Sequence, residues 1–342
     1  VEVITNPGAQ YDVAVSSVVR IRTVRRDGEG FGFDLNAANN QDLQNGVSDP
    51  SAMLILRYRF RDLDLFGSVN YWKWDQISIY YDYAKMYTGR DSYILEDCVA
   101  NDHFYSSGLD YNMGFNWQLS QNHSVGARIV RRTTIDAGTY YSSTTDIIRY
   151  DESSGQVSSV NESFQDEKRH SPYDWEGNVY YSGMVGRLGI NFNADYLSNR
   201  KDMMCSISDV IDAEEYMERF QEGVTTSRLA AAKLVLTYPV WKGQLEAGTE
   251  ATSVERGSSY SITNYPLPAS DSEVDENNVS AFVSYGFSLP KFGSVSAGLR
   301  YEHVGFNYTD LLDDANSMDR YQDEFFPSLS WSGLFGPVHA SL

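Results

Sequence analysis

The sequence predicts an all-β protein, a transmembrane antiparallel β-barrel with about twelve to thirteen strands, on three observations. Apolar and polar residues alternate at period two over long runs, the mark of a strand with one wet and one apolar face. Short tight connections alternate with long polar ones along the chain, as inner turns and outer loops do in a barrel. Aromatics reach 14%, with 26 Gly and only 9 Pro in 342 residues, a composition that favours sheet over helix.

Composition removes several alternatives. No window holds the eighteen consecutive apolar residues of a transmembrane helix. The mean hydropathy of −0.42 suits a barrel, because only every second strand residue faces lipid. A formal charge of −20 repels nucleic acid, so no nucleic-acid partner is expected. Cys98 and Cys205 fall in expected outer loops, and their spacing leaves open whether they pair. No metal, cofactor or catalytic constellation is legible: the five histidines are scattered, and there is no Gly-x-Ser-x-Gly or His-Glu-x-x-His.

Taken in order, Val1 to Arg26 stands apart from the barrel series, and Asp27-Gly28 breaks before a first wall strand near Gly30. Short turns are expected near Arg61-Asp62, Ser120-Asn122, Gly183-Gly186, Pro239-Gly243, Pro290-Gly293 and Gly333-Pro337. Between them lie the expected outer loops, 43–51, 76–106, 136–172, 199–226, 257–277 and 308–324. Leu109, Tyr111, Met113, Phe115, Trp117 and Leu119 form one apolar face; Leu188, Ile190, Phe192, Ala194 and Tyr196 form another. By the same parity Arg57, Arg59, Arg128, Arg132, Arg187, Glu246, Glu250 and Glu302 face the lumen. Tyr58, Phe60, Tyr71, Trp72, Trp74, Trp117, Tyr238, Trp241, Phe325 and Trp331 are expected in the interfacial girdles. One loop reads as helical: Ser208 caps it, and Val210, Ala213, Met217 and Phe220 recur at helical spacing.

The opening V-E-V-I-T-N-P-G-A-Q-Y-D, followed by the basic β run Val18 to Arg26, resembles the end of the plug domain of TonB-dependent receptors. The resemblance is to the outer-membrane β-barrel family of Bacteroidetes type. It continues through Leu63-Asp64-Leu65-Phe66-Gly67, Ala297-Gly298-Leu299-Arg300-Tyr301-Glu302 and Phe325-Phe326-Pro327-Ser328. Ala14 to Ser17 departs from the family by lacking glycines. The resemblance implies residues 1–28 as the C-terminal end of a plug and 29–342 as an incomplete part of a 22-strand barrel. It also implies a longer transporter carrying a TonB box.

Under that resemblance the function is nutrient binding at outer loops and import through a plugged barrel, driven by energy from the inner membrane. Expected partners are the TonB complex, the lipid bilayer and a small nutrient ligand, with a surface lipoprotein as a candidate. The location is the outer membrane of a Gram-negative bacterium. Arg20 and Arg22 are expected to meet the lumenal acids Glu246, Glu250 and Glu302, with Arg128 and Arg187 as further lumen contacts. The loop aromatics Tyr87, Tyr93, Tyr140 and Tyr141 either stack on a ligand ring or pack on one another. The alternative function, from a different class, is a passive porin or adhesion barrel; an enzyme is not expected.

Overall fold

The computed structural model describes residues 2–4, 18–20, 28–213, 215–289, 293–335 and 338–341. Two short strands, β1 (Glu2–Ile4) and β2 (Val18–Arg20), pair as a separate two-stranded sheet. The other described strands form one antiparallel sheet. Its strands are β3 (Gly30–Gln41), β4 (Ser48–Phe60), β5 (Leu63–Tyr87), β6 (Tyr93–Ser120), β7 (His123–Asp151), β8 (Gly155–Val185) and β9 (Leu188–Ile211). They continue through β10 (Glu215–Val240), β11 (Gly243–Ile262), β12 (Ser270–Leu289), β13 (Gly293–Asp310), β14 (Met318–Phe335) and β15 (Val338–Ser341). Each strand pairs with its sequence neighbours, and β3 and β15 are the two edges.

A single wall follows from the alternation. Only Ala100, Val130, Ala137, Cys205 and Phe282 form a buried hydrophobic set among the described residues. The accessible surface is 22569 Å², against roughly 14,000 Å² for a compact protein of this mass. A second layer would have covered one face. Instead, cross-strand register joins like with like: Met113, Ile129 and Gly177 share one face, while Asn112, Val130 and Glu176 share the other. The apolar face meets lipid and the polar face lines the lumen.

The expected outer loops are mostly strand. β6, β7 and β8 run 28, 29 and 31 residues, where about ten suffice to cross a bilayer. The true outer connections are only a few residues long, for example 88–92, 152–154 and 311–317. Beyond the bilayer both faces of a strand are wet, so hydrophobic alternation ends although pairing continues.

Two further expectations fail. The helix capped by Ser208 is absent: Leu188–Ile211 and Glu215–Val240 form a hairpin in which Val210 pairs Tyr216 and Asp209 pairs Met217. Its turn is stitched to β8, where the Asp212 amide donates to the Val160 carbonyl at 2.9 Å. Trp72 and Trp74 leave the girdle, because parity turns them inward, with Trp72 beside Gly108. Tyr58, Phe60, Trp117 and Tyr238 do lie exposed near the short-turn end. Trp241, 95% exposed, takes a left-handed φ of 51° at the first turn position, a conformation costly for a bulky residue.

The short turns at 61–62, 121–122, 186–187 and 241–242 match expectation. Those near Pro290 and Pro337, the turn at Asn6-Pro7, and Arg22, Arg25 and Arg26 lie outside the described residues. Cys98 and Cys205 are both free. They sit on β6 and β9, with two strands between, roughly 14 Å apart at ordinary strand spacing and beyond disulfide reach.

Three outer turns share one device. The carboxylate of Asp42 accepts from the Gln44 amide at 2.8 Å, Asp151 from Ser153 at 2.9 Å, and Asp310 from Leu312 at 2.9 Å. Each carboxyl is held below its ordinary value. The Asn45 side chain acts most strongly on Asp42, the Ser153 hydroxyl on Asp151, and the Leu312 amide on Asp310. A depressed folded-state pKa contributes stability that is complete above the unfolded value and lost as pH falls through the folded one. Amide protection factors at Gln44, Ser153 and Leu312 should therefore hold above about pH 4 and fall below it. Protection unchanged at pH well below 4 would show that the carboxylates do not hold these turns.

Candidate functional site: the charged inner wall

Glycine and aromatic residues face each other across neighbouring strands of the inner wall. Trp72 stands opposite Gly108, Phe66 opposite Gly114, Tyr180 opposite Gly126 and Phe282 opposite Gly248. In each pair the ring lies over the space a side chain would fill: a Cβ on Gly108 would come within 2.5 Å of the Trp72 ring, and one on Gly248 within 2.6 Å of Phe282. The rings are thereby laid flat along the wall rather than across the lumen.

Phe282 and its neighbours enclose a charge cluster. Lys233 on β10 stands directly opposite Glu250 on β11, which stands opposite Ser280, which stands opposite Glu302 on β13. The Lys233 ammonium lies 3.2 Å from Glu250, Arg300 lies 3.6 Å from the same oxygen, and the Arg300 Nε donates to Glu302. Arg300 is 2% exposed and Ser280 1%. The Arg300 Nη1 and the Ser280 Oγ have no hydrogen-bond partner. Glu302 also faces Glu324 across β13 and β14, so Arg300 offsets a like-charge row.

The remaining lumenal charges are more open. Arg57 pairs with Asp34 at 2.5 Å, Arg59 with Asp64 at 3.2 Å, and Arg132 with Glu176 at 2.8 Å and Asp174 at 3.4 Å. Arg128 donates to Asn112 at 3.0 Å. Between them runs an amide ladder: Asn178 and Asn193 each donate to Asp195 at 2.6 Å, and Tyr180 donates to Asn116 at 2.8 Å. Such a surface offers dense, fixed donors and acceptors to a polar solute.

The structure places the expected site residues unevenly. Glu250 and Glu302 join one cluster, but their cationic partners are Lys233 and Arg300 of the wall itself, which sequence reasoning did not single out as site residues. Glu246 shares their face, opposite Thr237 and Ser284. Arg187 lies in the 186–187 turn, donates to the Pro239 carbonyl at 3.2 Å and sits over the Tyr238 ring. Arg20 is placed by its backbone in β2, and Arg22 lies outside the described residues.

The hairpin aromatics are engaged with one another. Tyr93 stacks on Tyr150 at 5.2 Å, and Lys85 caps the Tyr87 and Tyr93 rings. Tyr140 stacks on Tyr105 at 5.5 Å with His103 alongside. Tyr141 has the opposite parity and faces inward with Asp102. His103 hydrogen-bonds Asp75 at 2.7 Å, and His303 bonds Asp323 at 2.8 Å. Among the described residues no Ser, Thr or Cys side chain completes either pair.

Comparison with known proteins fits this geometry. Residues 187–340 match the outer membrane protein beta-barrel family. No curated protein matches. Among solved structures, the outer membrane protease OmpT from Escherichia coli aligns at 13% identity over 76% of this chain and 94% of that one. At a TM-score of 0.26 this likeness carries no argument, and the family match stands alone. The strands β9 to β14 and most of β15 thus fall within the matched region, and the protein is an outer-membrane protein of β-barrel type.

Proposed function

We propose that the protein is the wall, with the exit of the plug, of a TonB-dependent transporter that imports a nutrient caught by its tall outer hairpins. The cluster in which buried Arg300 and Glu302 meet half-buried Lys233 and Glu250 carries this reading. Lys233 and Glu250 leave part of their charge open to the lumen, and charges held on an inner wall are costly unless something pairs with them. A plug filling the lumen supplies such partners, and the basic run that contains Arg20 and Arg22 has the complementary sign for Glu246 and Glu324. The separate β1–β2 pair supports a non-wall element at residues 1–28. On this reading the wall belongs to a larger barrel near 22 strands, which also covers the β3 and β15 edges.

A packed plug stops free diffusion, so passage takes work delivered from the inner membrane through TonB. The test is whole-cell uptake by the full-length protein, with and without a working TonB system. The probes are oligosaccharides, ferric siderophores, cobalamin and peptides. Binding retained while uptake is lost without TonB is the expected result. Uptake indifferent to TonB would establish a passive channel, and binding to surfaces without any uptake would establish an adhesion barrel.

A further inference from the structure

On the lipid-facing side of β6 to β9 the side chains leave a groove of about 630 Å³. Cross-strand register sets out three rows. The lowest holds Phe115, Ala127, Val179 and Ala194; the next holds Met113, Ile129, Gly177 and Tyr196; above it come Tyr111, Arg131, Trp175 and Ser198. Gly177 leaves a gap between Ile129 and Tyr196, and a Cβ built there meets nothing within 4 Å. Below it, the small Ala127 and Ala194 flank Val179 and keep the surface low on either side. The groove is apolar, which suits an acyl chain rather than a protein face.

The row above this groove carries a cation. Arg131 lies over the Trp175 ring at 4.6 Å and donates one hydrogen bond to the Pro172 carbonyl at 3.2 Å. It pairs with no carboxylate among the described residues. Three other basic residues on the same outward face are neutralised: Lys73 by Asp75 at 2.7 Å, Arg200 by Asp202 at 2.7 Å, and Arg228 by Glu255 at 3.4 Å, while Lys85 and Lys168 stand farther out on the hairpins. Trp175 marks the headgroup level. β7 and β8 continue outward past this row to their tip at 152–154, so the level belongs to the outer leaflet. A guanidinium held on one side by stacking keeps a fork of donors that matches a phosphate.

We propose that this face seats one phosphorylated glycolipid of the outer leaflet, with an acyl chain in the groove over Gly177 and a phosphate on Arg131. The site fixes a structural lipid against the strands that carry the tallest hairpins. It stands independently of the transport reading.

The test is native mass spectrometry of the full-length protein extracted from its own outer membrane, comparing wild type with Arg131→Gln and Gly177→Leu. Folding is checked by heat-modifiable migration on gels. Wild type should retain the phosphorylated glycolipid. Arg131→Gln should lower occupancy about tenfold or more, the scale of one charge-assisted contact, and Gly177→Leu should do so by filling the groove. Arg131→Lys should keep part of it. Purified protein should then rebind the bisphosphorylated glycolipid in preference to its dephosphorylated form and to phosphatidylglycerol. Equal occupancy in folded wild type and Arg131→Gln, indifference to the phosphate, preference for phosphatidylglycerol, or a protein found in the groove would each overturn the proposal. Should Gly177→Leu fail to fold, Arg131→Gln and the dephosphorylated lipid still decide.

Discussion

Replacing Arg300 with Ala should be the most damaging single change on the inner wall, at roughly 3–5 kcal/mol. Arg300 is 2% exposed and neutralises Glu302 and Glu250 together. Its removal leaves Glu302, 7% exposed, without its cation and facing Glu324, while Glu250 keeps only Lys233. Arg128→Ala makes the contrast. That side chain is exposed and donates to a neutral amide, so it should change stability by less than about 0.5 kcal/mol. Urea unfolding of the barrel in lipid vesicles measures both. The cycle adding Glu302→Ala separates charge from packing, since removing one of the repelling acids should recover part of the loss. No recovery would mean that Arg300 acts only by filling space beside Phe282.

The barrel wall was legible where one face of a strand meets lipid. Leu109 to Leu119 and Leu188 to Tyr196 alternate because hydrocarbon on one side and water on the other impose opposite demands on neighbouring residues. Past the membrane that contrast vanishes. The stretches 76–106 and 136–172 therefore read as loops, although they pair residue for residue, Ile79 with Asn101 and Ser143 with Ser163. Only their β-branched and aromatic content hinted at strands. The false helix at Ser208 has a similar origin. The hairpin between β9 and β10 puts Val210 and Met217 on different strands, so apolar residues of two strands fell by accident at a helical interval.

The site was half legible for a related reason. Parity alone puts Glu250 and Glu302 inward, but partners across strands depend on register, which depends on the turns. Lys233 and Glu250 are equidistant from the Trp241-Lys242 turn, so folding the chain there brings them face to face. That signal was present in the sequence. Arg300 and Glu302, two residues apart on one strand, share a face by the same rule. What no pattern could give is burial: Arg300 is covered because Phe282 is laid over Gly248 next to it.

The second large effect concerns those glycines, and position decides its sign. Gly108→Val should destabilise by about 1–3 kcal/mol through overpacking, since its Cβ would lie 2.5 Å from the Trp72 ring and 2.9 Å from the Thr133 carbonyl. Trp72 cannot retreat sideways without leaving the wall, so it must turn into the lumen and the strand pair β5–β6 must give. Gly177→Val, the same chemical change two strands away, meets open space and favours the extended backbone, so it should be neutral or slightly stabilising. Unfolding midpoints of the two variants side by side provide the measurement. Equal losses would mean that glycine is needed at both sites for backbone freedom, and the aromatic cover would then be incidental. A loss at Gly108 alone, rescued when Trp72→Leu is added, would show that flat-lying rings are what the inner-wall glycines are for.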